Sequence, residues 1–297
     1  MDYIELIVYS LLSRKTKNDV TKLKKESFRL YFFMNEEIRM TASFDDITVE
    51  CTFHDGNYID DSFQKVVLCQ KINFGNQRKE LELKNEKMGI EEWTDHFRII
   101  FHQRYIGLYV YNESIDIPAI ARRLKNVNKL ADVNGKGQKV YSFVDRLETR
   151  ILVTTARNCL RNGLIQNFES IYVGKHSEIE IDFGLNEFLL LNPKTLTMCC
   201  VNVTLKSINR FLKLWKKGAC RRMKRFRLCC ADLCEFNVFQ GIDAVFSTEP
   251  RSFDTGEKEE TIESGYDIVR KDGTKGTCVY KRFDDSYQFH FYVWHSH

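Results

Sequence analysis

The chain has 297 residues, 43% of them hydrophobic and 22 of them Phe, which is enough for a large core and for about two domains. Three Pro and 15 Gly exclude a collagen-like segment or a long disordered tail. Lys and Arg number 45 against 41 Asp and Glu, so the +4 surface is mixed and does not by itself call for nucleic acid or an anionic membrane. Ten cysteines include the adjacent pairs Cys199-Cys200 and Cys229-Cys230 inside expected strands, where neighbours point to opposite faces. They read as small apolar residues of a reduced protein of the cytoplasm or nucleus. Asp2 and Glu5 interrupt the apolar run at Met1–Leu12, so it is not a secretory signal, and no run reaches the length of a membrane span.

In chain order, Asp2 is a plausible N-cap, and Ile4, Ile7, Val8, Leu11 and Leu12 form one helical stripe. Val20 and Leu23 follow in a basic context. Phe28–Met34, Ile38–Phe44, Ile47–Phe53 and Val66–Ile72 are β-rich runs, and the first three are spaced as an antiparallel meander. From about residue 88, helices and strands alternate. Trp93, Phe97, Ile100 and Phe101 mark a helix before the strand Ile106–Tyr111. Helices at 117–124, 140–147, 156–164 and 185–191 interleave with strands at 130–133, 151–154 and 171–173. Strand-to-strand steps of about 20 to 30 residues fit a leucine-rich-repeat-like stack. The competing architecture, a doubly wound parallel sheet, has no glycine-rich phosphate loop to support it.

The stretch Thr195–Asp232 reads strand, helix, strand. Leu196, Met198, Phe226 and Leu228 alternate at period two. Thr204 is the expected N-cap, and Leu205, Ile208, Phe211, Leu212 and Trp215 form one stripe. Lys213, Lys216 and Lys217 load the last turn, and Gly218 supplies a left-handed stop. The fold class is therefore α/β (α+β overall). It comprises a short N-terminal helical segment (1–25), a β-rich segment (26–85), an irregular repeat-like α/β region (86–246), a mobile acidic loop (247–264) and a C-terminal β-meander (265–297). The turn at Lys271-Asp272-Gly273-Thr274 opens the meander.

Four stretches resemble the nematode-expanded F-box proteins that carry a type 2 F-box-associated domain. Residues 1–18 look like the second half of that family's F-box. Gly163–Phe168 with Leu185–Asn192 is similar to the start of the associated domain, which would span about 163–246. Ile208–Gly218 resembles its characteristic helix, and Gly265–Thr274 its terminal hairpin. The resemblance implies a substrate receptor of a Skp/cullin/F-box ubiquitin ligase. The helical residues Ile4, Ile7, Val8, Leu11 and Leu12 would dock a Skp-family adaptor, and the associated domain would hold a target protein. A complete F-box opens with a Leu-Pro segment and a first helix that precede the part matched here, so the implied adaptor surface is partial.

Other readings are weighed against this one. The basic run Lys213, Lys216, Lys217, Arg221, Arg222, Lys224, Arg225 and Arg227 could serve a nucleic-acid-associated domain (213–227), but the solvent side of a helix and its following loop explains it better. Cys220, Cys229, Cys230 and Cys234 lack the spacing of two zinc knuckles, and core packing is preferred. Phe211 and Trp215 read as core before anchor. His290, His295 and His297 read as a terminal strand, from about Tyr287 to Trp294, with a frayed, solvated tail. His54-Asp55 and Asp95-His96 are acid–base pairs without a nucleophile motif, which leaves an unrecognised intracellular enzyme as the third reading. No cofactor or metal is expected, nor a membrane partner or a homo-oligomer. The sheet face bearing Thr197, Cys199, Arg227 and Cys229 is the expected target surface, since stacked strands expose such a face broadly.

Overall fold

The computed structural model describes residues 2–27, 29–57, 62–72, 77–84, 88–111, 120, 123, 124, 126–133, 149–154, 168–174, 181–182, 192–199, 201–230, 238–255, 259–283 and 286–295. The chain divides into two compact units, residues 1–149 and 150–297. Four helices and nineteen strands have bounds among the described residues.

The first unit begins with α1 (Tyr3–Leu11) and α2 (Arg14–Lys22). A capping box starts α1: the Asp2 carboxylate accepts from the Glu5 amide at 2.8 Å, and Glu5 accepts from the Asp2 amide at 3.0 Å. Strands β1 (Arg29–Met34), β2 (Ile38–Ser43) and β3 (Ile47–Asn57) form the expected antiparallel meander, lengthened by β4 (Ser62–Ile72) and β5 (Arg78–Lys84). After α3 (Ile90–Ile100) come β6 (Ile106–Val110) and β7 (Val127–Asp132). β6 lies parallel to β1 on one side and to β7 on the other. The boundary expected near residue 85 is thus bridged by strand pairing. Leu130, Leu108, Phe32, Met40, Cys51 and Leu68 form one buried row across the sheet.

The N-terminal helix is tied into this unit. Tyr3 stacks on Phe44 with ring centroids 3.9 Å apart, and Phe44 meets Phe101 edge to face at 5.0 Å. The Tyr3 amide donates to Gln70 at 3.0 Å, and Lys79 pairs with both Asp2 and Glu5. Ser10 donates to the Ile7 carbonyl, so His96 Nε2, 2.7 Å away, must donate to the Ser10 hydroxyl. Asp95 pairs instead with Arg98, so Asp95 and His96 do not form the acid–base pair read from their adjacency.

The second unit contains β8 (Ile151–Thr154), β9 (Ser170–Val173), β10 (Ile181–Asp182), β11 (Thr195–Cys199), β12 (Val201–Asn202), α4 (Leu205–Lys216) and β13 (Arg225–Cys230). β14 (Val245–Ser247), β15 (Arg251–Asp254), β16 (Glu259–Ile262), β17 (Gly265–Val269), β18 (Lys275–Phe283) and β19 (Ser286–Trp294) complete it. β8, β9, β11 and β13 are parallel neighbours in that order. β19 joins β13 antiparallel, followed by β18, β17 and β14, so the C-terminal meander continues the parallel sheet. β10 and β12 form a separate parallel pair. Every strand expected from 106 to 231 is present. Of the helices expected between them, those at 140–147, 156–164 and 185–191 lie outside the described residues, as does most of that at 117–124.

α4 shows why the sheet has one apolar side. Thr204 caps it by accepting from the Ser207 amide at 3.2 Å. Its end is a Schellman turn. Gly218 N donates to Trp215 O and Ala219 N to Leu214 O, with Gly218 at φ +108°. Ile208, Phe211, Leu212 and Trp215 are buried. Trp215 meets Phe291 edge to face at 4.9 Å, and Phe211 meets Phe226 at 5.6 Å and Phe291 at 6.0 Å. Phe211 and Trp215 are therefore core, as expected.

The segment 247–264, expected as a loop, instead holds an antiparallel hairpin of β15 and β16. Its physical reason is two apolar anchors in a charged context: Phe253 and Ile262 are buried and pack with Tyr292, Val279 and Trp294.

Gly276 leaves no room for a side chain. A Cβ there would come within 2.5 Å of the Phe291 ring and 3.0 Å of Trp215. Gly276→Val is expected to destabilise by roughly 1–3 kcal/mol through overpacking. A lower urea midpoint, followed by tryptophan fluorescence, is the measurement that checks it, and an unchanged midpoint would refute the close packing.

Candidate functional site

On β11, β13 and β19, side chains alternate between the α4 side and the opposite side. Leu196, Met198, Phe226, Leu228, Phe289 and Phe291 face α4 and are buried. The opposite side carries polar rows set by register. One row runs Thr195, Arg225, Tyr292, Thr277, Asp267. The next runs Tyr172, Thr197, Arg227, His290, Val279. A third runs Cys199, Cys229, Gln288, Lys281. The four residues expected to form a target face, Thr197, Cys199, Arg227 and Cys229, thus share one side, and each is partly exposed.

A hydrogen-bonded chain runs across these rows. Arg227 donates through Nε and Nη2 to Gln288 Oε1, at 3.1 and 2.8 Å. His290 Nε2 lies 3.1 Å from the same oxygen, and His290 Nδ1 lies 2.9 Å from the Tyr292 hydroxyl. Tyr292 donates to Glu260 Oε2 at 3.1 Å, and Arg225 Nη2 donates to both Glu260 oxygens at 3.0 and 3.1 Å. Arg225 also sits over the Tyr292 ring, 5.7 Å from its centroid. Since Glu260 belongs to β16, this chain anchors the hairpin beside the sheet. A second anchor is the paired Arg251–Asp267 contact, at 3.1 and 2.9 Å.

Between hairpin and sheet lies a cavity of about 410 Å³, lined by Arg225, Arg227, Glu259, Glu260, Thr261, Lys281, Gln288 and His290. Its volume suits a side chain or short peptide segment. The lining sets the cations Arg225, Arg227 and Lys281 beside the carboxylates Glu259 and Glu260, with Arg225 paired to Glu260 and Arg227 bound to Gln288. Such a lining favours a polar, hydrogen-bonding group.

The environment sets the ionisation of these groups. Burial, then the cations Lys281, Arg227 and Arg225, hold His290 down at about 3. Burial and the Glu260 carboxylate push the Tyr292 phenol up. The Cys229 thiol is drawn down to about 6 by a hydrogen bond from Cys199 and by Arg227, against burial. Burial pushes Cys220 up to about 11.

Other sequence-derived candidates are placed as follows. His290 lies in the expected terminal strand and is buried there. His295 Nε2 lies 3.1 Å from the Met223 carbonyl, and His297 lies outside the described residues. Of the basic run, Lys216 pairs with Asp243, Arg225 with Glu260, and Arg227 binds Gln288. His54 lies 3.6 Å from Glu37. In α1, Ile4 and Ile7 are buried in the first unit, together with Leu6 and Ser10. Val8 and Leu11 are partly buried and Leu12 is 70% exposed. The buried face of the helix is therefore rotated away from the stripe read from sequence. Sequence reasoning missed Gln288, Tyr292 and Glu260, and weighed Arg225 and His290 only within a basic run and a histidine cluster, not for this face. The signal for four of them was present: the period-two alternation of β13 and β19 puts them in phase with Arg227.

Residues 159–228 match the family model described as F-box associated. The match takes in β9 to β12, α4 and most of β13, and so covers Thr197, Cys199 and Arg227. It supports an F-box-associated domain in this part of the chain. Neither the curated proteins nor the solved structures contain a match to the chain.

The His290 environment has a direct consequence. Its folded value, about 3, lies below the ordinary value of about 6.5, so the unfolded chain takes up a proton that the native state refuses. The stability this contributes is complete above pH 6.5 and is lost as pH falls from 6.5 toward 3, by up to about 1.4 kcal/mol per pH unit. Urea denaturation at pH 7 and pH 5 is expected to show a lower midpoint at pH 5, with a smaller difference in His290→Gln. An equal difference in that variant would assign the effect elsewhere.

Proposed function

We propose that the chain is a non-catalytic substrate receptor of a Skp/cullin/F-box ubiquitin ligase, of the nematode-expanded type. Residues 1–25 would contribute an F-box-like adaptor contact, and the F-box-associated region, built as an irregular repeat-like strand-helix stack, would hold the target protein. The observation that carries this reading is the F-box-associated match over 159–228. It falls on the strands whose open side presents Thr197, Arg227 and the cavity beneath the β15–β16 hairpin. Buried aromatic support beneath partly exposed Arg and polar side chains is a composition suited to protein recognition.

The adaptor contact falls on Val8, Leu11 and Leu12, because Ile4 and Ile7 are committed to the core. Tyr9 and Leu23 are also exposed apolar residues of these two helices, at 37% and 55%. The free thiols of Cys51, Cys69, Cys229 and Cys278 accord with a reducing compartment, cytoplasmic or nuclear. No helix among the described residues is long and apolar enough to cross a membrane. On this reading the protein works as a monomer apart from its partners and does not depend on nucleic acid.

The test is co-purification of the 297-residue chain with a Skp-family adaptor at physiological salt. A stoichiometric complex is expected, weakened at least about tenfold in Leu12→Asp, since a central apolar contact replaced by a charge costs over about 1.4 kcal/mol. Leu12 is exposed, so the variant should fold. Absence of a complex from a folded wild-type chain would remove the adaptor half of the proposal.

A further inference from the structure

Cys199 and Cys229 are register partners on the adjacent parallel strands β11 and β13. Neighbouring strands lie about 4.8 Å apart, and register partners point to the same side of the sheet. That separation falls within the range of Cα spacings that a disulfide spans. Neither thiol is in a disulfide, both are partly exposed, and they lie within hydrogen-bonding reach of each other. Cys51 and Cys278, by contrast, are buried, and burial raises their thiols far above the usual range.

The surroundings differ from those of a structural cysteine. β13 contributes Arg227, two residues from Cys229 on the same side. β19 contributes Gln288, directly across from Cys229, and neutral His290 beyond it. β18 contributes Lys281 opposite Gln288. β11 contributes uncharged Thr197, and β9 contributes Tyr172. Arg227 and Lys281 are positive, and Arg227 favours a thiolate at Cys229; the carboxylates that share their cavity, Glu259 and Glu260, lie on β16.

We propose that Cys199 and Cys229 form a reactive dithiol site that hydroperoxides convert to a cross-strand disulfide. Cys229 is the attacking sulfur and Cys199 the resolving one. The Cys229 thiolate attacks one peroxide oxygen, the O–O bond breaks, and hydroxide leaves, giving a sulfenic acid at Cys229. Cys199 sulfur then attacks the Cys229 sulfur. The S–O bond breaks, and the Cys199 proton accompanies the leaving hydroxide as water. With hydrogen peroxide, the first hydroxide takes up the proton that Cys229 gave up in forming its thiolate, so two thiols lose two electrons, the peroxide gains them and two waters form in all. The low value of about 6 at Cys229 and the higher one at Cys220, about 11, agree with this order of reactivity. The site stands whether or not the same sheet face binds a target protein.

The experiment uses the full reduced chain, with hydrogen peroxide as oxidant and iodoacetamide as the thiol probe. Peptide mass spectrometry with fragment-ion assignment separates Cys199 from Cys200 and Cys229 from Cys230. At pH 7 Cys229 is expected to alkylate at least tenfold faster than Cys220. One equivalent of peroxide should give a Cys199–Cys229 linked peptide that dithiothreitol reverses. In Cys199→Ser the sulfenic acid should persist at Cys229 and be trapped by dimedone, and in Cys229→Ser the Cys199 thiol should stay reduced. Alkylation of Cys229 no faster than Cys220 would overturn the proposal. So would oxidation of the wild-type chain that leaves Cys199 and Cys229 unlinked.

Discussion

The edge of the Trp215 indole against the Phe291 ring, closed over by the bare backbone of Gly276, is the contact on which the second unit turns. It joins the one described helix of that unit to the strand that links its parallel and antiparallel halves. Phe211, Phe226 and Phe289 extend the same cluster. Aromatic pairs of this kind bury large areas and prefer edge-to-face geometry, so they fix orientation as well as supplying apolar burial. Once β19 commits Phe289, Phe291 and Val293 to that side, its pleat forces Gln288, His290, Tyr292 and Trp294 to the other. The polar face follows from the aromatic one.

That polar face would be expensive without its internal pairing. Tyr292 and His290 are almost inaccessible, and a buried hydroxyl or imidazole without a partner is strongly disfavoured. The chain from Arg227 to Arg225 satisfies both, and Glu260 at its far end brings the hairpin into place. The hairpin is held by charge on one flank and by Phe253 against Tyr292 and Trp294 on the other. A recognition face built this way has its side chains positioned before a partner arrives, which lowers the ordering cost of binding.

Much of this was legible in the residues. Leu196 and Phe226, then Met198 and Leu228, alternate so regularly that their pairing could be read directly, and the structure aligns them in that register. Thr204 and Gly218 marked the ends of α4 because caps use local chemistry. What was not legible is non-local. Nothing in β1 announces that it will pair with β6, some 75 residues later, because parallel pairing leaves no turn signal. Phe253 and Ile262 are too few to reveal a hairpin by periodicity, and only their packing on Tyr292 does so. In α1, Ser10 takes a core position that the apolar stripe gave to Leu11 and Leu12, because His96 supplies the hydrogen bond that a buried hydroxyl needs. The pairing of His290 with Gln288 and Tyr292 has the same origin: an interior polar residue is read correctly only when its partners are known.

Strand β5 ends the described part of its sheet and has a further consequence. Of its seven residues, Arg78, Lys79, Glu80, Glu82 and Lys84 are charged, and Arg78 and Lys79 hold salt bridges with Glu80 and with the cap of α1. An edge with free amides and carbonyls invites a strand from a neighbouring molecule, yet one so densely charged makes that approach desolvate several ions at once. The same Lys79 that steadies the amino-terminal helix also discourages fibril-like stacking, so neutralising it would loosen the helix and weaken a barrier to self-assembly at high concentration.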